Sequence, residues 1–331
     1  MKNEKISIKE IARLADTSVA TVSRVINQNG RFSKETEQRV LKVIEEYGYR
    51  PNMLAQGLRQ DRMKVIGVIV PDITSDFFAG IVREIENEVF QRGYIAVLCD
   101  THEREERETR FIEMLSNLRF SGIIYVGGKR TQSIFEELPA VYIDRKPTHV
   151  LMEPNSCFIG SDNYQGGYIA SRRLMEAGRR RPAIVLFENE LETQRQRYMG
   201  YRRAQEECGL MSDGSDVYYV DSVDFDNGFR ITSEILKNGR EHDAIFYTSD
   251  ILAIGGIRCL NENGIAIPEQ IAVIGMDDIP LSARVTPPLT TIRQQYREFG
   301  RLAVENLMRM LEGEQVEDQI LDVAIIERKT V

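Results

Sequence analysis

The chain has 331 residues, of which 42% are hydrophobic and 28% charged, the usage of ordinary globular domains, so disordered and fibrous architectures are excluded and the length suggests two or three units. No run approaches the roughly 18 apolar residues of a membrane span, and Met1 to Lys5 lack the apolar stretch of a secretory signal, so no membrane partner and a cytoplasmic location are expected. Charge is unevenly spread: residues 1–64 carry 13 Lys and Arg against 8 Asp and Glu, and the remainder 30 against 43, a basic end on an acidic body that suits phosphate binding at the amino terminus.

The first fifty residues read as three short helices. Ser7 and Glu10 form a capping box, followed by Ile8, Ile11, Ala12 and Ala15 on one face. After a turn at Asp16 and Thr17, Ser18 caps a second helix that turns Val22, Val25 and Ile26 inward. Residues 27–31 break it. Ser33 caps a third helix with Val40, Val43, Ile44 and Tyr47 on one side, closed by Gly48. Two short helices separated by about three residues form a helix-turn-helix pattern, whose second helix enters a major groove; a plain three-helix bundle is the alternative. Residues 50–64 are a basic linker able to form one or two helical turns.

From Val65 the period changes. Apolar runs at 65–70, 95–98, 122–126, 140–143, 158–159, 183–187, 217–220, 244–247 and 271–274 alternate with helical stretches, as in parallel sheets covered on both faces. About nine strands exceed one small sheet, so two α/β lobes are expected, with ligands at the carboxyl ends of the strands. The four cysteines (Cys99, Cys157, Cys208, Cys259) form no C-x-x-C pair, and the three histidines (His102, His149, His242) sit at no catalytic or metal spacing. No metal, cofactor or catalytic residue is therefore expected. Nor does any dinucleotide, P-loop or nucleophile-elbow motif occur, which argues against an α/β enzyme.

Four motifs in order then carry a resemblance. Ser18-Val19-Ala20-Thr21-Val22-Ser23-Arg24-Val25-Ile26-Asn27, Gly48-Tyr49-Arg50-Pro51-Asn52 followed by Leu54-Ala55-Gln56-Gly57-Leu58, Val65-Ile66-Gly67-Val68-Ile69-Val70-Pro71-Asp72, and Val273-Ile274-Gly275-Met276-Asp277-Asp278 resemble the LacI/GalR family of regulators over nearly the whole chain. The resemblance implies an all-α helix-turn-helix head at 1–49, a hinge helix at 50–64 and a two-lobed, periplasmic-binding-protein-like α/β sensor with parallel sheets at 65–331. Its first lobe would take about 65–161 and 293–322, and its second about 162–292 and 323–331. A sugar-binding transport module shares that sensor architecture, but the basic head and the missing signal disfavour it.

By the same resemblance, Val19 and Ala20 stand at the base-reading positions and, being apolar, suit thymine methyls or shape. Ser7, Ser18, Thr21, Ser23, Arg24, Asn27 and Thr36 would contact backbone or base edges, with capping as the other reading of the serines and threonines. Leu58 matches a minor-groove wedge, and Gly57, where a side chain is usual, weakens the hinge helix. Phe77, Phe78, Asp144, Arg145, Asp162, Arg197, Phe225, Ser249 and Asp277 would line an effector cleft suited to a polyol or its phosphate. Ser249 replaces a frequent asparagine. A double-stranded operator, a small sugar or sugar-phosphate effector and a second copy of the chain are the expected partners. The chain ends after the run at 323–326 without a leucine heptad, which favours a dimer over a tetramer.

Overall fold

The computed structural model describes residues 6–26, 28–49, 63–118, 120–128, 138–146, 155–187, 191–210, 214–237 and 241–331. The chain divides into two compact units, 1–63 and 64–331. Asn27, Gly57 and Leu58 lie outside the described residues.

In the first unit three helices close a small core: α1 (Ile8–Leu14), α2 (Val19–Ile26) and α3 (Lys34–Glu46). Their starts follow local chemistry. Ser7 Oγ accepts from Glu10 N while the Glu10 carboxylate accepts from Ser7 N at 2.9 Å, a complete capping box. Ser18 Oγ accepts from Thr21 N at 3.1 Å, and Ser33 Oγ from Thr36 N at 3.2 Å. Gly48 takes φ +59° and lets Tyr49 N reach Ile44 O, ending α3. Ile11, Ala12, Ala15, Val22, Val25 and Val40 are buried together. Tyr47, expected on the inner side of α3, is instead half exposed, as the C-cap beyond the last helical residue.

The second unit contains two six-stranded sheets. In chain order its elements are β1 (Met63–Val70), α4 (Asp76–Gln91), β2 (Ile95–Asp100), α5 (Glu105–Asn117), β3 (Phe120–Val126), β4 (Ala140–Ile143) and β5 (Ser156–Ser161). Then follow α6 (Asn163–Glu176), β6 (Pro182–Phe187), α7 (Glu192–Glu207), β7 (Val217–Val220), α8 (Phe225–Lys237), β8 (Ala244–Tyr247), α9 (Asp250–Glu262) and β9 (Ala272–Asp277). The chain closes with a 3₁₀ turn (Pro280–Ala283), β10 (Thr290–Arg293), α10 (Tyr296–Leu311), β11 (Gln319–Leu321) and β12 (Ala324–Ile326).

The first sheet has the order β11-β5-β4-β3-β1-β2 and the second β12-β10-β9-β8-β6-β7. The recorded pairings are parallel except β10 with β12. Consequently the chain passes between the sheets three times, at 161–163, 293–296 and 321–324. Central strands such as β3, β4, β8 and β9 are buried along their whole length, which is why they read as unbroken apolar runs. β2 also reads as apolar, yet Ile95, Val97 and Leu98 are exposed because it is an edge strand. β10 and β11 escaped the apolar pattern: Thr290-Thr291-Ile292-Arg293 is mostly polar and Gln319-Ile320-Leu321 is only three residues long.

Glycines set two helix crossings. A Cβ on Gly200 of α7 would lie 2.1 Å from Tyr164 O, and one on Gly167 of α6 2.1 Å from Arg197 O. The two backbones therefore touch. Gly228 of α8 and Gly255 of α9 repeat the device against Leu252 O and Phe225 O.

Candidate functional site: a cavity between two sheets and a helix surface on the head

In the second unit a cavity of about 270 Å³ opens where strand ends of both sheets meet. Residues following β1 (Asp72), β2 (Glu103), β4 (Asp144, Arg145), β7 (Asp221 to Asp224) and β8 (Thr248, Ser249) line it, together with Asp277 at the end of β9. Carboxyl ends of parallel strands are where α/β sheets leave room for ligands.

Arg197 is fixed by the glycine crossing, which presses α7 onto α6. Its Nε donates to Asn163 Oδ1 at 2.8 Å and its Nη1 to Thr248 O at 2.7 Å. Burial pulls the guanidinium pKa down, opposed by the nearby Asp277 and Asp144 carboxylates. Asp277 accepts from Ser249 Oγ at 2.9 Å and from Gln294 Nε2 at 2.7 Å. Burial drives its carboxyl above the usual range, Asp250 adds to the shift, and Arg197 opposes it. Among the described residues Arg197 and Asp277 form no ion pair with each other, so both face the cavity with bonding capacity left for a ligand.

The other wall comes from the first sheet. Arg145 Nη1 donates to Gly127 O at 2.7 Å, and its guanidinium stands 5.8 Å from the Phe78 ring. Asp144 beside it is pushed up by burial, with Arg145 and Arg197 pulling the other way. Phe77 and Phe78 meet edge to face at 5.4 Å. Both strand-end aspartates have left-handed backbones, φ +69° at Asp144 and +129° at Asp277, strain of the kind that collects at ligand sites.

Seven of the nine sensor residues expected from sequence therefore share one cavity: Phe77, Phe78, Asp144, Arg145, Arg197, Ser249 and Asp277. Two do not line it. Asp162 spends its side chain capping α6, accepting from Gln165 N at 2.8 Å, and its neighbour Asn163 reaches Arg197 instead. Phe225 opens α8 with its ring substantially exposed, while Val223 and Asp224 form the wall there. Asn163 and Gln294 were missed; the only signal for the first was its place one residue beyond a helix cap.

On the head, a shallow surface depression brings Val19, Ala20, Ser23 and Arg24 of α2 together with Asn29 and Gly30. Gly30 takes φ +89°, a backbone that favours glycine, and packs beside the Arg24 side chain, where a Cβ would lie 3.2 Å from Cδ. Ser18 is exposed, and its hydroxyl bonds the Thr21 hydroxyl at 2.9 Å as well as capping α2. Ser7 and Thr36 stand at the starts of α1 and α3, Ser7 as a cap and Thr36 bonded to Ser33 at 2.9 Å. Ser7 and Ser18 thus cap their helices, whereas Thr36 is held by the capping Ser33; a capping hydroxyl at a helix start still lies where backbone N–H groups favour phosphate.

Residues 7–52 match the description "Bacterial regulatory proteins, lacI family", and residues 171–331 match "Periplasmic binding protein-like domain". The HTH-type transcriptional repressor PurR of Histophilus somni (strain 129Pt) is 32% identical over 333 residues, 98% of each chain. The chain belongs to the lacI family of bacterial regulatory proteins. It is a DNA-binding transcriptional repressor of that family and not an enzyme. The PurR repressor of Haemophilus influenzae (strain PittEE) is 33% identical over 336 residues, again 98% of each chain. Among solved structures, the lac repressor dimer bound to operator and the anti-inducer ONPF superposes with a TM-score of 0.87 at 26% identity, covering 99% of both chains. The complex of the transcriptional regulator CelR with cellobiose gives 0.74 at 27% identity, over 98% of this chain and 100% of that one. No described helix is long and apolar enough to cross a membrane.

Proposed function

We propose that this lacI-family repressor works in the cytoplasm as a dimer, reads a palindromic operator with two heads, and is switched by a small polyhydroxylated effector held in the cavity around Arg197 and Asp277. The observation that carries the effector reading is the convergence of two guanidiniums, two buried strand-end carboxylates and an aromatic pair on one 270 Å³ space. Carboxylate and guanidinium together grip vicinal hydroxyls, and a ring face covers C–H groups. That the CelR structure holds cellobiose supports a sugar. The walls come from both sheets, so an occupant that fits one lobe arrangement better shifts the equilibrium between arrangements by its difference in affinity.

On the DNA side, α2 enters the major groove with Val19 and Ala20 toward base edges, and Ser18, Thr21, Ser23, Arg24 and Asn27 hold its register. Ser7 and Thr36 touch the flanking backbone, and Leu58 wedges the minor groove between half-sites. A dimer places two such heads one groove repeat apart. Support for the dimer is the apolar free edge of the first sheet: Ile95, Val97 and Leu98 on β2, with Phe90 on α4, Met114 on α5 and Leu118 at its C-cap, are all exposed. Exposed apolar surface of this kind marks association sites.

Selection of binding sites from random duplexes tests the DNA half. An inverted repeat is the expected outcome; recovery of unrelated sequences, or of a lone half-site, contradicts it. A thermal-shift screen of sugars tests the effector half.

A further inference from the structure

A second cavity, of about 480 Å³, lies where β10 hands the chain from the second sheet to α10. Its walls come from both lobes. Asp278, Ile279 and Pro280 follow β9 of the second sheet, whereas α10 packs on α4, with Gly80 seated under the Tyr296 ring. Only Gln294 is shared with the effector cavity.

The chemistry here differs from that of the effector cavity. Three guanidiniums, Arg293, Arg297 and Arg328, face two carboxylates, Asp278 and Glu298. Asp278 is shared, bonded by Arg293 at 2.7 Å and by Arg328 at 2.5 Å. Glu298 is taken by Arg301, and among the described residues Arg297 has no acidic partner. α10 begins here with no side-chain cap, and Gln295 Nε2 donates to Asp322 O, so the N–H groups of its first turn are open to an anion. Gln294 lies between the two cavities. It is 1% exposed, its Nε2 is committed to Asp277, and among the described residues its Oε1 has no partner. A buried acceptor left unpaired is costly, and a small shift of the Gln294 amide would uncover it to a ligand hydroxyl.

We propose that this cavity is a second ligand site, for a small phosphomonoester that also carries hydroxyl groups. The phosphoryl group sits against Arg297 and the first turn of α10, and a hydroxyl donates to Gln294 Oε1. Such a ligand would bridge the lobes at one of their three crossings. It also reaches the effector cavity by two short routes, since Gln294 holds Asp277 and the two arginines hold Asp278 next to it. Gln294 Nε2 donates to Asp277 Oδ1, and Asp278 accepts from Arg293 and Arg328 beside that left-handed turn.

Titration calorimetry on the full chain tests this with glycerol 3-phosphate as probe and inorganic phosphate and glycerol as comparators. Glycerol 3-phosphate should bind the parent protein and Arg197→Ala alike, and bind Arg297→Glu at least about tenfold more weakly, the scale of one lost charge-assisted contact. Inorganic phosphate should bind more weakly than the ester, and glycerol not measurably. Circular dichroism on Arg297→Glu, a surface change, checks that the fold is retained. The proposal is overturned by no binding of the ester, by equal binding to Arg297→Glu, or by inorganic phosphate binding as tightly. Loss of binding in Arg197→Ala with retention in Arg297→Glu would also overturn it, by moving the phosphoryl group to the effector cavity. A protein that ignored every sugar would still give the expected pattern, so this test stands apart from that of the effector reading.

Discussion

At Asp277, burial and the neighbouring Asp250 favour the protonated carboxyl, while Arg197, Gln294 and Ser249 favour the charged one, and burial wins. The unfolded chain releases this proton near pH ~3.9. Between that value and the raised folded value the native state holds a proton that the unfolded state has lost, so stability contributed here falls as pH rises through that window. Asp144 shifts the same way for the same cause. Asp277→Asn should therefore be more stable than the parent at pH 8, with the gap shrinking toward pH 5. Urea denaturation at the two pH values measures it, and a pH-independent gap would refute the burial argument. Sequence could show which aspartates end strands, but not that Asp162 would spend its carboxylate on a cap while Asn163, turned by one helical step, bonds Arg197.

Two helix pairs, α6 with α7 and α8 with α9, cross by close backbone contact at glycines. A methyl at Gly200 has nowhere to go with Tyr164 O at 2.1 Å, so Gly200→Ala should destabilise the sensor by about 1 to 3 kcal/mol. It should also shift Arg197 off Thr248, weakening effector binding beyond the stability loss. Denaturation together with ligand titration reads both, and unchanged binding would detach Arg197 from the crossing. On the head, Ser33→Ala removes a cap worth about 1 kcal/mol without touching α2, and calorimetric melting of the head should show that loss. Caps such as Ser7 with Glu10 were legible because their chemistry is local. The glycine crossings were not, since a glycine in a helix pattern does not announce what lies opposite it. β10 and β11 were hidden because their pairing, rather than their own hydrophobicity, makes them strands.

For the whole molecule, alternation of apolar runs with helical stretches was enough to expect two parallel-sheeted lobes, and charge asymmetry enough to expect a reader at the amino terminus. The exposure of β2 was invisible, because an apolar edge strand reads in sequence like a buried one. If that edge is the dimer contact, Ile95→Asp should give a monomer in sedimentation and lower operator affinity by at least about tenfold, while far-ultraviolet circular dichroism stays unchanged. A dimer that survives Ile95→Asp would place the contact elsewhere.

Under the proposed mechanism, occupancy around Arg197 and Asp277 governs the grip of α2 on DNA. Fluorescence anisotropy of a labelled operator, titrated with the repressor with and without the sugar that raises its melting temperature, tests this directly. The parent should change operator affinity at least about tenfold with the sugar, whereas Arg197→Ala, stripped of charge-assisted bonds worth about 1.5 to 3 kcal/mol, should bind the operator equally well and ignore the sugar. If Arg197→Ala responded to the sugar like the parent, or if the sugar bound the parent without altering its affinity for DNA, the claim would be contradicted.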